Sequence, residues 1–147
     1  MKKTFEAKVT TIIDAPVARV WKALTDPSEI KEYFFGTETI SDWKKGSSIK
    51  FRGEWEGTSY EDKGTILEVI PEKKLVYNYW SSMSNTEDIP ENYANITYNL
   101  SLSGNGTLLE IIQDGIADEA KKAHSEANWQ MILDNLKTVV YNKSMAL

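Results

Sequence analysis

Apolar and polar residues alternate with a period of two at the start of the chain. Between Thr4 and Ile13, Phe5, Ala7, Val9 and Ile13 share one parity, and Glu6, Lys8 and Thr10 hold the other. That pattern predicts a strand with one face toward water. Asp14-Ala15-Pro16 stops it. Pro16 suits a first helical turn, where its missing N–H would have no partner in any case. Val17, Val20, Trp21 and Leu24 then recur at i, i+3, i+4 and i+7, the single stripe of an amphipathic helix. Asp26-Pro27-Ser28-Glu29 predicts a second helix, with Asp26 as its cap, Pro27 in the first turn and Glu29 three residues past the cap. Ile30, Tyr33 and Phe34 form its apolar side, and Gly36 is its terminator.

The middle of the chain returns to period two. A short strand is expected at about Thr37 to Ser41, followed by a turn at Lys45-Gly46. Ile49, Phe51 and Trp55 alternate with Lys50, Arg52, Glu54 and Glu56, and Glu56-Gly57 signals a hairpin. The strand from about Thr58 to Ile70 changes parity near Gly64, which predicts a bulge or bend there. Pro71-Glu72-Lys73-Lys74 turns the chain into the β-prone segment Leu75 to Trp80. Ser81 to Asn92 reads as a loop. Ala94, Ile96, Tyr98, Leu100 and Leu102 alternate with polar residues up to the hairpin turn Ser103-Gly104-Asn105-Gly106, and Thr107 to Gln113 forms the last strand.

From about Ala117 to Tyr141 the period changes to 3.6, and Trp129, Ile132, Leu133, Leu136 and Val140 build one stripe on a helix of ~35 Å. Hairpin-sized turns make the sheet antiparallel. Segregated helices and strands give an α+β fold class, with about six to seven strands. No linker, internal repeat or low-complexity tract interrupts the 147 residues, so one domain over 1–147 is expected.

Composition narrows the function. Seventeen basic against 22 acidic residues give a net charge of −5, without the basic footprint of a nucleic-acid or anionic-membrane binder. Cysteine is absent, which excludes disulfides, thiolate metal sites and cysteine nucleophiles. No apolar run approaches the ~20 residues of a membrane span, and no apolar stretch follows Lys2-Lys3 as in a signal peptide. A cytoplasmic location is expected, and the three Asn-x-Ser/Thr sequons carry little meaning there.

The segment Asp14-Ala15-Pro16-Val17-Ala18-Arg19-Val20-Trp21-Lys22-Ala23-Leu24-Thr25-Asp26-Pro27, continuing to Ile30, Tyr33 and Phe34, carries a family resemblance. So do the glycine-punctuated strands around Phe51 to Gly64 and the Trp129, Leu133, Leu136 stripe. Together they resemble the helix-grip fold of the START-like (Bet v 1-like, SRPBCC) superfamily. Within it the chain is similar to the family related to the C-terminal domain of the activator of Hsp90 ATPase, over about residues 4 to 141. The resemblance implies a curved antiparallel sheet wrapped around a long C-terminal helix, two short helices after the first strand, and a cavity between sheet and helix. It does not imply one activity, because the superfamily includes carriers, polyketide cyclases and co-chaperone domains. In the eukaryotic activator a separate N-terminal domain contributes to Hsp90 stimulation. Here the first strand begins within a few residues of Met1, so activation of Hsp90 is not expected.

The long helix has small residues in its first half (Ala117, Ala120, Ala123, Ala127) and bulky ones in its second. Small residues against a curved sheet leave space, so a cavity is expected near Ala120, Ala123, His124, Ala127 and Met131. The sheet would contribute Trp55, Tyr60, Tyr77, Tyr79, Tyr98 and Ile112, with Phe34 and Phe35 near the mouth. His124 is the lone histidine and the most available acid–base group near neutral pH. One histidine makes no His-rich metal site, and neither HExxH, a GxSxG elbow, a Walker A loop nor GxGxxG occurs. No metal and no cofactor are expected. Glu54, Glu56, Glu61 and Asp62 around Gly57 read as a solvated face, while Glu54 and Glu110 lie in strands otherwise rich in apolar residues and are candidates for buried carboxylates.

The expected function is binding of a small apolar or aromatic molecule by a monomer or weak homodimer. A cyclase-type enzyme using the same cavity is the first alternative. A co-chaperone-type interaction module using an outer surface is the second.

Overall fold

The computed structural model describes residues 5–82 and 86–145, with the backbone alone at Trp55 and at 143–145. The elements run β1 (Phe5–Ile13), α1 (Val17–Thr25), α2 (Pro27–Tyr33), β2 (Glu38–Ser41), β3 (Ser48–Trp55), β4 (Thr58–Ile70), β5 (Lys74–Tyr79), β6 (Ala94–Ser103), β7 (Gly106–Ile116) and α3 (Glu119–Met145). The order follows the periodicity closely. A single 3-10 turn at Pro90–Asn92 interrupts the predicted loop.

All seven strands join one antiparallel curved sheet in the order β1-β7-β6-β5-β4-β3-β2. The short turns dictate that order, except that β1 pairs with β7 and so brings the two ends of the strand run together. At Glu56-Gly57 both residues adopt positive φ (49° and 81°), the geometry of a tight two-residue hairpin between β3 and β4.

Strand β4 is the bend of the sheet. Residues Thr58 to Thr65 pair with β3, and Ile66 to Ile70 pair with β5, with an irregularity between Ile66 and Glu68. The parity change therefore falls just beyond Gly64. Inward-facing Asp62 and Ile66 precede it and Val69 follows it. Gly64 itself is the point of closest approach: a Cβ there would lie 1.7 Å from the Asn78 carbonyl oxygen. The Asn78 side chain accepts from the Thr65 N–H at 2.7 Å beside it.

The concave face carries the core, with Val9, Ile13, Ile49, Phe51, Ile66, Leu75, Ile96, Leu109 and Ile111 buried against Trp129, Ile132, Leu133, Leu136 and Val140 of α3. Helix α3 lies along β1 and β7 and also contacts both short helices. Glu126 of α3 accepts the outward N–H of Lys8 on the edge strand β1 at 3.0 Å, and the Tyr141 hydroxyl accepts from Asp14 N–H. These contacts satisfy donors that a sheet edge would leave open.

Candidate functional site

The inner stripe of α3 is filled by large residues from Trp129 onward. Before it, the side facing the sheet carries His124, Ser125 and Asn128, and a cavity of about 600 Å³ opens there. Tyr77, Tyr79 and Ser81 form one wall, Ile96 and Gln113 another, and Phe34, Trp129 and Ile132 close it. A second recess of about 310 Å³ shares Phe34, Tyr79 and Asn128 with the first and extends under Phe35, Thr37, Phe51, Tyr60 and Asp62. The shared residues make the two compartments neighbours along one groove.

Local structure explains these placements. Helix α2 ends with Phe34 N–H donating to Ile30 O, and Phe35 and Gly36 both take positive φ (57° and 78°). That turn sends adjacent aromatics in different directions. Phe34 packs inward, stacked on Phe51 at 6.1 Å and edge-on to Trp129 at 6.2 Å, while Phe35 stays 48% exposed. Trp129 is held in turn by its indole N–H, which donates to Gln113 Oε1 at 2.8 Å. On β4 and β3, Tyr60 lies opposite Gly53, where a Cβ would come within 2.4 Å of the Tyr60 hydroxyl. The missing side chain gives Tyr60 room to reach Thr37, with 2.6 Å between their hydroxyls.

Two phenols, Tyr77 and Tyr98, are buried side by side with hydroxyls 2.9 Å apart. Tyr98 sits beneath the cavity wall and packs edge-on to Trp129. Burial pushes the Tyr98 phenol up to about 12 and the Tyr77 phenol well above its ordinary value. Tyr79 donates a short hydrogen bond to Asp62 Oδ2, and Ser82 N–H donates to Asp62 Oδ1. Burial first, and the Asp62 carboxylate second, hold the Tyr79 phenol far above its usual range. Tyr79 therefore keeps its proton at neutral pH and donates a fixed hydrogen bond to Asp62.

Of the residues expected at the pocket, the structure brings Phe34, Tyr77, Tyr79 and His124 together around the larger cavity and places Phe35 and Tyr60 in the recess. It places the others elsewhere, and buried Tyr98 lines neither compartment. Ala120, Ala123, Ala127 and Met131 are exposed and line neither compartment. The reason is helical phase: at roughly 100° per residue, Ala127 and Met131, two positions either side of Trp129, must point away from the sheet. Ile112 has the opposite parity to inward-facing Ile111 and Gln113 and belongs to the outer face. The side chain of Trp55 lies outside the described residues.

The carboxylate expectations also change. Glu54 is exposed. Glu110 is on the outer face, accepting from Asn99 at 3.1 Å and paired with Lys8 at 3.3 Å. Asp62, expected on a solvated face, is 7% exposed and faces inward. Its signal was present in the sequence, since Asp62 shares the parity of Tyr60 and Ile66. Ser125, Asn128 and Gln113 gave no comparable signal, because small polar residues on a helix or strand are ordinary surface residues. Among the described residues, no group of three or more His, Asp or Glu side chains could hold a metal ion.

A curved antiparallel sheet gripping a long terminal helix, with two short helices after the first strand and a groove between sheet and helix, defines a helix-grip protein. The chain belongs to the family described as Activator of Hsp90 ATPase homolog 1-like protein, which matches residues 14–141. The solution structure of ChR145 from Cytophaga hutchinsonii is similar at 43% identity and a TM-score of 0.86, covering 99% of each chain. CalU16 from Micromonospora echinospora shares 25% identity at a TM-score of 0.71, over 99% of this chain and 90% of that one. The Aha1 dimer from Colwellia psychrerythraea shares the fold at 19% identity and a TM-score of 0.73, over 92% of this chain and 96% of that one. No curated protein matches the chain significantly.

Proposed function

We propose that the chain binds an apolar or aromatic small molecule in the groove between the sheet and α3. The observation that carries this reading is the cavity of about 600 Å³, in the size range of small-molecule sites. Its aromatic members (Phe34, Tyr77, Tyr79, Trp129) offer contact area at little conformational cost, and Ser125, Asn128, His124 and Gln113 offer a few polar anchors. The fold supports it as well, because the grip of sheet on helix leaves this end open once small polar residues replace the bulky stripe.

The test uses a neutral apolar reporter, N-phenylnaphthylamine, and protein purified from its own organism. Native mass spectrometry of that protein should reveal an added mass that is lost on denaturation. The reporter should brighten on binding, and Ser125→Phe, which fills the cavity from the helix side, should weaken its binding by about tenfold or more. Absence of both the added mass and the brightening would remove the reading.

A cyclase-type reaction in the same groove is the second reading. It is favoured by one observation, the Tyr79 hydroxyl fixed by a hydrogen bond to a buried carboxylate at the junction of the two compartments, where it would position a substrate for cyclisation. It requires that a compound taken from the organism's extract be released chemically altered, and that Tyr79→Phe stop the alteration without stopping binding.

A further inference from the structure

Among the described residues, Asp62 is the one carboxylate lining the smaller recess. It is 7% exposed, and both its oxygens accept hydrogen bonds, from the Tyr79 hydroxyl and from Ser82 N–H. Among the described residues no Lys, Arg or His forms an ion pair with it. Its chain neighbour Glu61, by contrast, pairs with Arg52 at 2.7 Å on the outer side. A buried carboxylate without a cation is costly, and such groups are ordinarily paired or bind a positive charge.

The surroundings of Asp62 are aromatic. Phe34, Phe51, Tyr60 and Tyr79 line the same recess. Phe34 and Phe51 stack at 6.1 Å, and Phe51 meets Tyr79 edge-on at 5.7 Å. Several aromatic rings around one anionic group attract a cation by two independent means. The carboxylate supplies charge, and the ring quadrupoles favour a desolvated ammonium. The recess shares Phe34, Tyr79 and Asn128 with the larger cavity, so a molecule lying across that boundary would place a charged head in the one and an apolar body in the other.

We propose that the ligand of this groove carries an amine or ammonium group, seated in the recess against the Asp62 carboxylate and the rings of Phe34, Phe51, Tyr60 and Tyr79. The inference rests on the small-molecule reading above and names its ligand class: an aromatic or amphiphilic amine.

A series with one ring and three tails tests it by isothermal titration calorimetry: tryptamine (ammonium), tryptophol (hydroxyl) and indolepropionate (carboxylate). Tryptamine should bind at least about tenfold tighter than tryptophol, and indolepropionate weakest. Asp62→Asn, which keeps the shape and one acceptor, should erase the preference for tryptamine while tryptophol binding is kept. Equal binding of tryptamine and tryptophol to the unaltered protein would overturn the amine proposal and leave the binding reading standing. No binding of any of the three would overturn both. The comparison on the unaltered protein decides the matter even where Asp62→Asn folds poorly. Tyr79→Phe gives a second check, since it removes a hydrogen-bond donor from Asp62 and leaves its charge, so the tryptamine preference should persist. A preference lost in Tyr79→Phe but kept in Asp62→Asn would assign the recognition to the phenol and overturn the proposal.

Discussion

A side chain at Gly64 has no room. Its Cβ would sit 1.7 Å from the Asn78 carbonyl oxygen, and that neighbour is backbone inside a sheet. Gly64→Ala should therefore destabilise the protein by about 3 kcal/mol or more, read as a lowered urea midpoint. Gly53 is different, because the atoms a Cβ would meet there belong to the far end of the Tyr60 ring, which can swing. The same scale shows what single residues revealed in advance. The glycine was visible in sequence, but the atom it makes room for was not. For the tyrosines of β5 and β6 the alternation was legible, but which parity meets the helix was settled only by the folded sheet. Ala120, Ala123 and Ala127 were misplaced because they were read by size and not by phase relative to Trp129. Asp62 was misread because charge was allowed to outweigh its parity with Tyr60 and Ile66.

Among the elements, the junction of α1 and α2 depends on one pair. Glu29, which the sequence offered as a capping residue, instead receives both Nη atoms of Arg19, at 2.7 and 3.2 Å. Glu29 is 2% exposed, so its charge is sheltered and depends on that partner. The cap itself is formed by Asp26, which accepts from Ser28 N–H at 3.0 Å. Arg19→Met should cost about 3 kcal/mol, because it strands a buried carboxylate. Adding Glu29→Gln should restore much of the loss, and a double-mutant cycle by urea unfolding measures the coupling. If Arg19→Met leaves stability unchanged, the pair contributes nothing. This matters for the site because α2 delivers Phe34 to the groove. The helices themselves were readable from Asp-Pro starts and stripe spacing. The Arg19–Glu29 contact was not, because ten residues along the chain say nothing of how two helices cross.

For the molecule as a whole, the buried phenols set the alkaline limit. Burial pushes Tyr98 up to about 12 and holds Tyr33 and Tyr77 well above the ordinary phenol value. Below about pH 10 these phenols are protonated in both the folded and unfolded chain, and stability does not depend on them. Above about pH 10 the unfolded chain loses those protons while the folded chain keeps them, so stability falls as pH rises. For Tyr98 the fall continues to about pH 12 and is on the order of 3 kcal/mol. The urea midpoint should decline across that window, with tyrosinate absorbance from these residues appearing together with unfolding. Ionisation of all seven tyrosines near pH 10 in the folded protein would contradict this account.

Order, type and approximate limits of the elements followed from the sequence alone, as did the alternation of residues along most strands. These depend on local periods of two and 3.6 and on turn residues, which neighbouring positions fix. The β1–β7 pairing, the Gly64–Asn78 approach, the burial of Asp62 and the helix side chains that line the groove were decided only in three dimensions. Each depends on which distant segment arrives opposite, and a one-dimensional pattern does not carry that distance.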